Sequence, residues 1–413
     1  AVEIWRTVSE VVPAALAGAG VNAAQIAAVG VTNQRETVVL WDRATGKPIA
    51  HALVWQDRRT ADFCRLHRDS EDWLRGKTGL LLDPYFSATK LRWLLDNVPG
   101  ARAAAERGEL LAGTIDTWLL WNLTGGATHA TDVSNASRTL LCNIHDAAWD
   151  DDLLRFFHIP AGLLPRIQPS ASAFGATAGL AFLPDGISIT GCAGDQQAAL
   201  FGQGGFTPGA AKCTYGTGAF FLEHTGTAPV LSRHRLLASL AATVSEQKQY
   251  VLEGSVFVAG AAVQWLRDGM RFIPTAPEVE ALAAQSDPSQ PVIFVPAFVG
   301  LGAPHWVPDA RGVLFGLTRN TTAADLARAA LEGVALQVAD LIEAAAGDTG
   351  QALAALAVDG GMARNAWFLH KQADLLGIPV LASGQSEATA LGAAFLAGLH
   401  IGYWPSVESL REL

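Results

Sequence analysis

Charge is scarce in this chain. Asp, Glu, Lys and Arg make up 16% of its 413 residues, against roughly 25% in ordinary soluble proteins. Beside a hydrophobic fraction of 50%, this implies much interior relative to surface, as in a large α/β enzyme of two or three domains. Positive charge is scarcer still, with 29 Lys and Arg facing 39 Asp and Glu for a net charge of −10. That balance disfavours a nucleic-acid partner, because phosphate-backbone binding relies on a Lys/Arg excess. It leaves nucleotides open, since backbone N–H groups and helix N-termini hold small phosphates without net positive charge.

Cysteine is nearly absent. Cys64, Cys142, Cys192 and Cys213 are scattered and form no C-x-x-C pair. A disulfide framework and a zinc site are both disfavoured, and no metal-ligating set is assigned. The four read as small buried hydrophobes in a reducing cytoplasm. The opening "AVEIWRTVSEVV" has no basic segment and no cleavage signal. The charge-free run from Ala388 to Val407 holds three glycines, a His and a Pro. It therefore reads as a buried helix with its turn rather than a membrane span.

What the chain does have is a pattern written twice. "VEIWRTVSEVVPAALAGAG" is an amphipathic helix stretch that leads into the short apolar strand "IAAVGVTNQ". "TTAADLARAALEGVALQVADLIEAAAG" likewise leads into "LAALAVDGG", with Leu331, Val334, Val338 and Leu341 at helical spacing. Thr322 and Asp325 resemble a capping box. A second unit, strand then glycine turn then Ala-rich helix, also occurs twice, in "ISITGCAGDQQAALFGQG" and "IPVLASGQSEATALGAAFLAG". Alternating helices and buried strands argue for parallel sheet with ligand sites at strand C-termini. Two such units predict two similar domains facing a cleft, with the seam at the Gly- and Pro-rich stretch Gly202 to Gly209. The copies are unequal. Strand-like sequence from "AAKCTYGTGAFFLEHTG" to "QYVLEGSV" precedes the second only, so by internal symmetry the first domain is expected to lack its opening strands.

Asp195 is the most conspicuous side chain, a single acid between glycine and two glutamines with no Lys or Arg nearby in sequence. The bland alternative is a helix N-cap. "TNQRET" sets Arg35 beside Glu36 at the end of an apolar strand, where one donates and the other accepts, as a polyol requires; a solvated turn is the default for an isolated pair. Trp55 and Tyr85 can pack on a carbon chain or simply belong to the core. "TYGTGAFF" and "VDGGMARN" are glycine turns able to bring backbone N–H groups to phosphates. Each is equally readable as an ordinary turn.

With these residues in view, the chain resembles the FGGY family of carbohydrate kinases, in its glycerol-phosphorylating branch. "TNQRE", "VWQDRRT", "LLDPYFSATKLRWLL", "GTIDTWLLWNLT", "TDVSNASRTLL", "GDQQAALFGQ", "TYGTGAFF", "PAFVGLGAPHW" and "VDGGMARN" carry the resemblance in order along essentially the whole chain. The resemblance implies an α/β, duplicated actin-like (ribonuclease-H-like) ATPase fold, two domains around a nucleotide cleft. An acceptor-binding domain would span residues 1–204 and an ATP-binding domain residues 205–413. It implies ATP-dependent phosphorylation of glycerol with Mg²⁺, and Asp195 as the base. Glycerol would contact Arg35, Glu36, Tyr85, Asp195 and Gln196, with Trp55 and Phe220 against its carbons. The nucleotide would lie near Thr217, Gly260, Gln264, Gly361 and Asn365. A cytoplasmic enzyme follows, with no membrane span and with a homo-oligomer, dimer or tetramer, open. On this reading Asp195 stays free of any salt bridge.

The alternatives are a kinase for another polyol or ketose, and a catalytically inactive nucleotide-binding fragment. The family's opening Asp-Gln-Gly-Thr-Thr-type phosphate loop has no counterpart in these residues, and the family usually continues beyond "WPSVESLREL". The expectation is therefore an incomplete chain with little or no kinase activity of its own.

Overall fold

The computed structural model describes residues 1–290, 292–384 and 387–412. The chain opens with α1 (Val2–Ala19), which stops at Gly20 in the left-handed conformation, φ 64°. None of its residues is fully buried, but Ile4, Trp5 and Val8 pack on a cluster around Val31, Trp41 and Trp118. This is the predicted amphipathic helix.

The predicted strand follows as β1 (Ala28–Asn33), and β2 (Val38–Asp42) pairs antiparallel with β3 (Leu110–Thr114). β4 (Ala171–Ala176) and β5 (Ser188–Gly194) complete a three-stranded sheet of order β1-β5-β4. β1 and β5 run parallel, in a register that sets Asn33 opposite Gly194. Among the described residues no strand pairs with the other edge of β1. β5 turns directly into α2 (Asp195–Gly202).

The second half holds β6 (Ala211–Tyr215), β7 (Ala219–Gly226), β8 (Leu237–Leu240), β9 (Tyr250–Val256), β10 (Leu356–Asp359) and β11 (Val380–Ala382). They form one sheet of order β8-β9-β7-β6-β10-β11. β8, β9, β7 and β6 pair antiparallel with one another, while β10 runs parallel to both β6 and β11. So the parallel pair β1–β5 of the first half has its counterpart in β10–β11, and β10 also carries β6 on its other edge. α3 (Ala323–Thr349) begins at the predicted capping box of Thr322 and Asp325. Its Leu331, Val334, Val338 and Leu341 are all buried in the main core. Full burial of such side chains stabilises by roughly 1.5–3 kcal/mol each.

α4 (Ala388–His400) is the last long helix, and it packs against elements of the first half, on α2, β5, β1 and β4. Two glycines let it touch α2 backbone to backbone. A Cβ on Gly392 would lie 1.9 Å from the Ala198 carbonyl oxygen, and one on Gly202 would lie 2.0 Å from that of Ala388. It also lies on the first sheet, where a Cβ on Gly30 would meet the Ala393 carbonyl oxygen at 2.2 Å. Residues 385 and 386, within the stretch expected as strand, glycine turn and helix, lie outside the described residues. Among the described residues no helix is long and apolar enough to cross a membrane.

Candidate active site

The parallel register of β1 and β5 explains how the site assembles. Both strands end at the same level, so the segments leaving them, Gln34–Thr37 and the start of α2, lie side by side. A Cβ on Gly194 would lie 2.7 Å from Cγ and Cδ of Arg35. Only glycine lets the Arg35 side chain cross the strand end there. Glu36 holds φ 61° while 2% exposed. That left-handed conformation is strained for a non-glycine residue and is typical of functional sites. The Thr37 N–H bonds the Arg35 carbonyl at 2.7 Å and closes a tight turn about Glu36.

Asp195 is the first residue of α2, with Gly194 at the N-cap position. The expectation of a carboxylate without a cationic partner is overturned. Arg35 Nε lies 3.3 Å from Asp195 Oδ1, and Lys212, from β6, also acts on it. Both cations are remote in sequence, which is why the local stretch gave no sign of them. Asp195 Oδ1 also accepts the Gln196 N–H at 2.8 Å. About 34% of the Asp195 side chain remains open. Burial pushes its carboxyl above the ordinary range, with Arg35 and Lys212 pulling the other way.

Arg35 and Glu36 are not each other's main partners. Their closest approach is 3.9 Å. Arg35 Nη1 and Nη2 donate to Glu253 at 2.6 and 2.7 Å, and Nη1 also donates to Gln197 Oε1 at 3.1 Å. Glu36 Oε1 accepts from Arg138 Nε at 2.6 Å, and Arg138 Nη2 lies 3.3 Å from Glu253. Burial pushes Glu253 up, but Arg138 and Arg35 outweigh it and hold the carboxyl near about 2. Glu36 goes the other way, because burial outweighs the same two cations. With all six groups ionised, Arg35, Arg138 and Lys212 balance Glu36, Glu253 and Asp195.

Three aromatic residues singled out in the sequence meet one another. Trp55 packs edge-on to Tyr85 at 5.7 Å and to Phe220 at 6.4 Å between ring centroids. Tyr85 is also a core residue, 6% exposed. Its turn is fastened by Lys90, whose buried ammonium donates to the carbonyls of Pro84, Tyr85 and Phe86 at 3.0, 2.6 and 2.8 Å. Arg138 lies over the Tyr85 and Phe86 rings. Gln196 is buried, and its Oε1 accepts from Lys212, which also donates to Thr214 at 2.7 Å.

β6 carries this network to the second group. The turn between β6 and β7 places Gly216 and Thr217 at the surface. Their carbonyls accept from the N-terminal N–H groups of the helix Gly260–Gln264: Gly216 from Gly260 at 2.9 Å, Thr217 from Ala261 at 3.1 Å. A Cβ on Gly260 would lie 2.6 Å from the Gly216 carbonyl oxygen. Gln264 is exposed at the far end of that short helix. The parallel β6–β10 pairing puts the second glycine turn alongside, and a Cβ on Gly360 would lie 2.4 Å from the Tyr215 carbonyl oxygen. Gly361 is open, and Asn365 caps the helix Ala366–Leu376 by accepting from the Phe368 N–H at 2.8 Å. Thr217, Gly260, Gly361 and Asn365 thus border one rim of the sheet.

Sequence reasoning missed Glu253, Arg138, Lys212 and Gln197. The signal for two of them was the one that exposed Asp195: Glu253 in "YVLEGSV" and Lys212 in "AAKCTYG" are single charges in apolar strand sequence. A further acidic group, Asp116 and Asp132 with Cys192, has ligand-type atoms within 4.8 Å of one another. Its carboxylates already accept from Thr114, Thr131, Ser134, Asn135 and Ser170, and burial pushes Asp116 to about 6. Those oxygens are satisfied by the protein itself.

A buried charge network thus joins the two sheets, with two glycine turns beside it. Residues 1–202 match the N-terminal domain of the FGGY family of carbohydrate kinases and residues 211–401 match its C-terminal domain. The chain belongs to that family. It is 57% identical over all 413 residues to the glycerol kinase of Trichlorobacter lovleyi, spanning 83% of that protein. It is 50% identical to that of Lactococcus lactis, with 99% of this chain and 83% of the relative covered. The crystal structure of the Plasmodium falciparum glycerol kinase with ADP superposes with a TM-score of 0.87 at 40% identity, over 93% of this chain and 77% of the other. A xylulose kinase from Lactobacillus acidophilus reaches the same TM-score at 20% identity, with 99% and 82% covered, and so shares the fold alone.

Proposed function

We propose that the protein transfers the γ-phosphoryl group of ATP to glycerol, giving sn-glycerol 3-phosphate and releasing ADP. The observation that carries this is Asp195, partly open at the end of β5, with Arg35 and Lys212 acting on it. A hydroxyl seated against Asp195 gives up its proton as its oxygen attacks phosphorus. The raised carboxyl suits Asp195 to that task, since a base works best with a pKa brought towards the operating pH. Arg35 and Glu36 orient the acceptor from one side, Gln196 from another, and Trp55, Tyr85 and Phe220 supply an apolar wall for its carbons. Thr217, Gly260, Gln264, Gly361 and Asn365 form the nucleotide side. Mg²⁺ takes oxygen ligands and commonly binds through one or two carboxylates plus substrate phosphates. Asp195 is a suitable donor, and the ion would neutralise charge on the group in transfer. The enzyme acts in the cytoplasm on this reading, which agrees with four free, buried cysteines.

The test is Asp195→Asn in the natural protein carrying these 413 residues. It keeps the shape and removes the basic oxygen. Turnover is expected to fall by about 10²–10⁴-fold, with ATP KM near wild type and the melting temperature little changed. Wild-type turnover in a folded Asp195→Asn protein would assign Asp195 a structural role.

A further inference from the structure

Lys90 is 0% exposed, on the first turn of the helix Ser87–Asn97. An ammonium has three N–H donors and no acceptor. All three find partners, the carbonyls of Pro84, Tyr85 and Phe86, at 3.0, 2.6 and 2.8 Å. These are consecutive carbonyls of one turn, and none is a carboxylate. Taking a cation out of water is costly, and apolar residues often replace buried ionic groups without loss of stability. Core packing alone therefore gives no reason for a lysine here. What the ammonium supplies is a fixed direction for each peptide of the turn. The other side of that turn is held as well. The Tyr85 N–H donates to Asp83 Oδ1 at 2.9 Å, and Arg58 holds that carboxylate at 2.7 and 3.2 Å. Ser87 Oγ donates to the Glu36 carbonyl at 3.0 Å, so the turn is also fixed relative to Arg35 and Glu36.

We propose that Lys90 is a positioning residue for acceptor recognition, which sets the Tyr85 ring by clamping the three carbonyls of the turn that carries it. This rests on the reading of Tyr85 as part of the wall against the acceptor's carbons. Lys90 touches no substrate on that reading and acts through Tyr85. The ring in turn supports Trp55, which meets Phe220, so the whole wall takes its place from this turn. Without the ammonium, three carbonyls lose their donor. A buried polar group left unpaired is costly, so the turn rotates towards other donors or water, and the ring moves with it. A misplacement of about 1 Å, caused far from the chemistry, is enough to cost about 10²-fold. The residues proposed to hold the nucleotide stand beside the second sheet, on elements apart from this turn. The effect should therefore fall on the acceptor and spare ATP.

The experiment measures KM for glycerol and for ATP, kcat and melting curves in the natural protein carrying these 413 residues and in its variants. Lys90→Met keeps an unbranched side chain and removes the three donors. Glycerol KM is expected to rise by about tenfold or more, with ATP KM unchanged. A lysine that only stabilises the fold would lower the melting temperature and the active fraction but leave glycerol KM where it was. That result overturns the proposal. If Lys90→Met does not fold, Lys90→Gln carries the test, since its amide keeps two donors, and should show a smaller rise in the same constant. Tyr85→Ala, alone and combined with the Lys90 variant that folds, completes a double-mutant cycle. With the ring gone, losing Lys90 should raise glycerol KM little further. Full additivity would mean that Lys90 does not act through Tyr85, and would also overturn the proposal. Wild-type glycerol KM in Tyr85→Ala is a different failure. It would remove Tyr85 from the acceptor wall, and the premise with it, whatever Lys90→Met does.

Discussion

Glu223 shows how far one buried carboxyl sets the pH response. It is 2% exposed on β7, its Oε2 has no hydrogen-bond partner, and burial pushes it from 4.5 to about 7. Between those values the unfolded chain releases the proton while the folded chain keeps it. Stability therefore falls as pH rises through this window, and the loss levels off above about 7. The shift corresponds to about 3 kcal/mol. Glu223→Gln is neutral at every pH, so it should raise the melting temperature at pH 8 and change it little at pH 4. An equal shift at both pH values would contradict an unpartnered acid at this position. Glu253 is the opposite case at the same scale, an acid held low because two arginines surround it.

At the scale of elements, the glycine crossing of α2 and α4 fixes where Asp195 stands. Asp195 opens α2, and α2 is wedged by backbone contact at Gly392 and Gly202. Gly392→Ala would put its Cβ against the Ala198 carbonyl, where no flexible side chain can yield. Overpacking of this kind is expected to cost about 1–3 kcal/mol. Because α2 must shift, kcat should fall together with the melting temperature. A variant with unchanged melting and turnover would show that the close approach does not position the helix. The elements themselves were largely legible in the sequence. Leu331, Val334, Val338 and Leu341 have a local period, and Thr322 with Asp325 is a local cap, so both appear where the sequence puts them. The partners of the charges were not legible. Arg35 and Glu253 are 218 residues apart, and nothing in either segment encodes the pairing. The strained backbone at Glu36 was equally hidden, because no glycine or asparagine marks that position.

For the molecule as a whole, Lys212 and β6 join the charge network of the first sheet, proposed to hold the acceptor, to the glycine turns of the second, proposed to hold the nucleotide. Each half alone has a bland explanation, a buried ion network or a pair of glycine turns. Together they define a phosphotransferase, and the choice of acceptor is what the fold alone does not fix. The direct measurement is phosphoryl transfer from γ-labelled ATP by the natural protein, with glycerol, xylulose and gluconate supplied in turn and the products identified. The account predicts sn-glycerol 3-phosphate from glycerol, with kcat/KM above the other two by about a hundredfold or more, as expected of a site built to bind particular hydroxyls. Equal or better transfer to xylulose or gluconate, or no acceptor-dependent product at all, would contradict it.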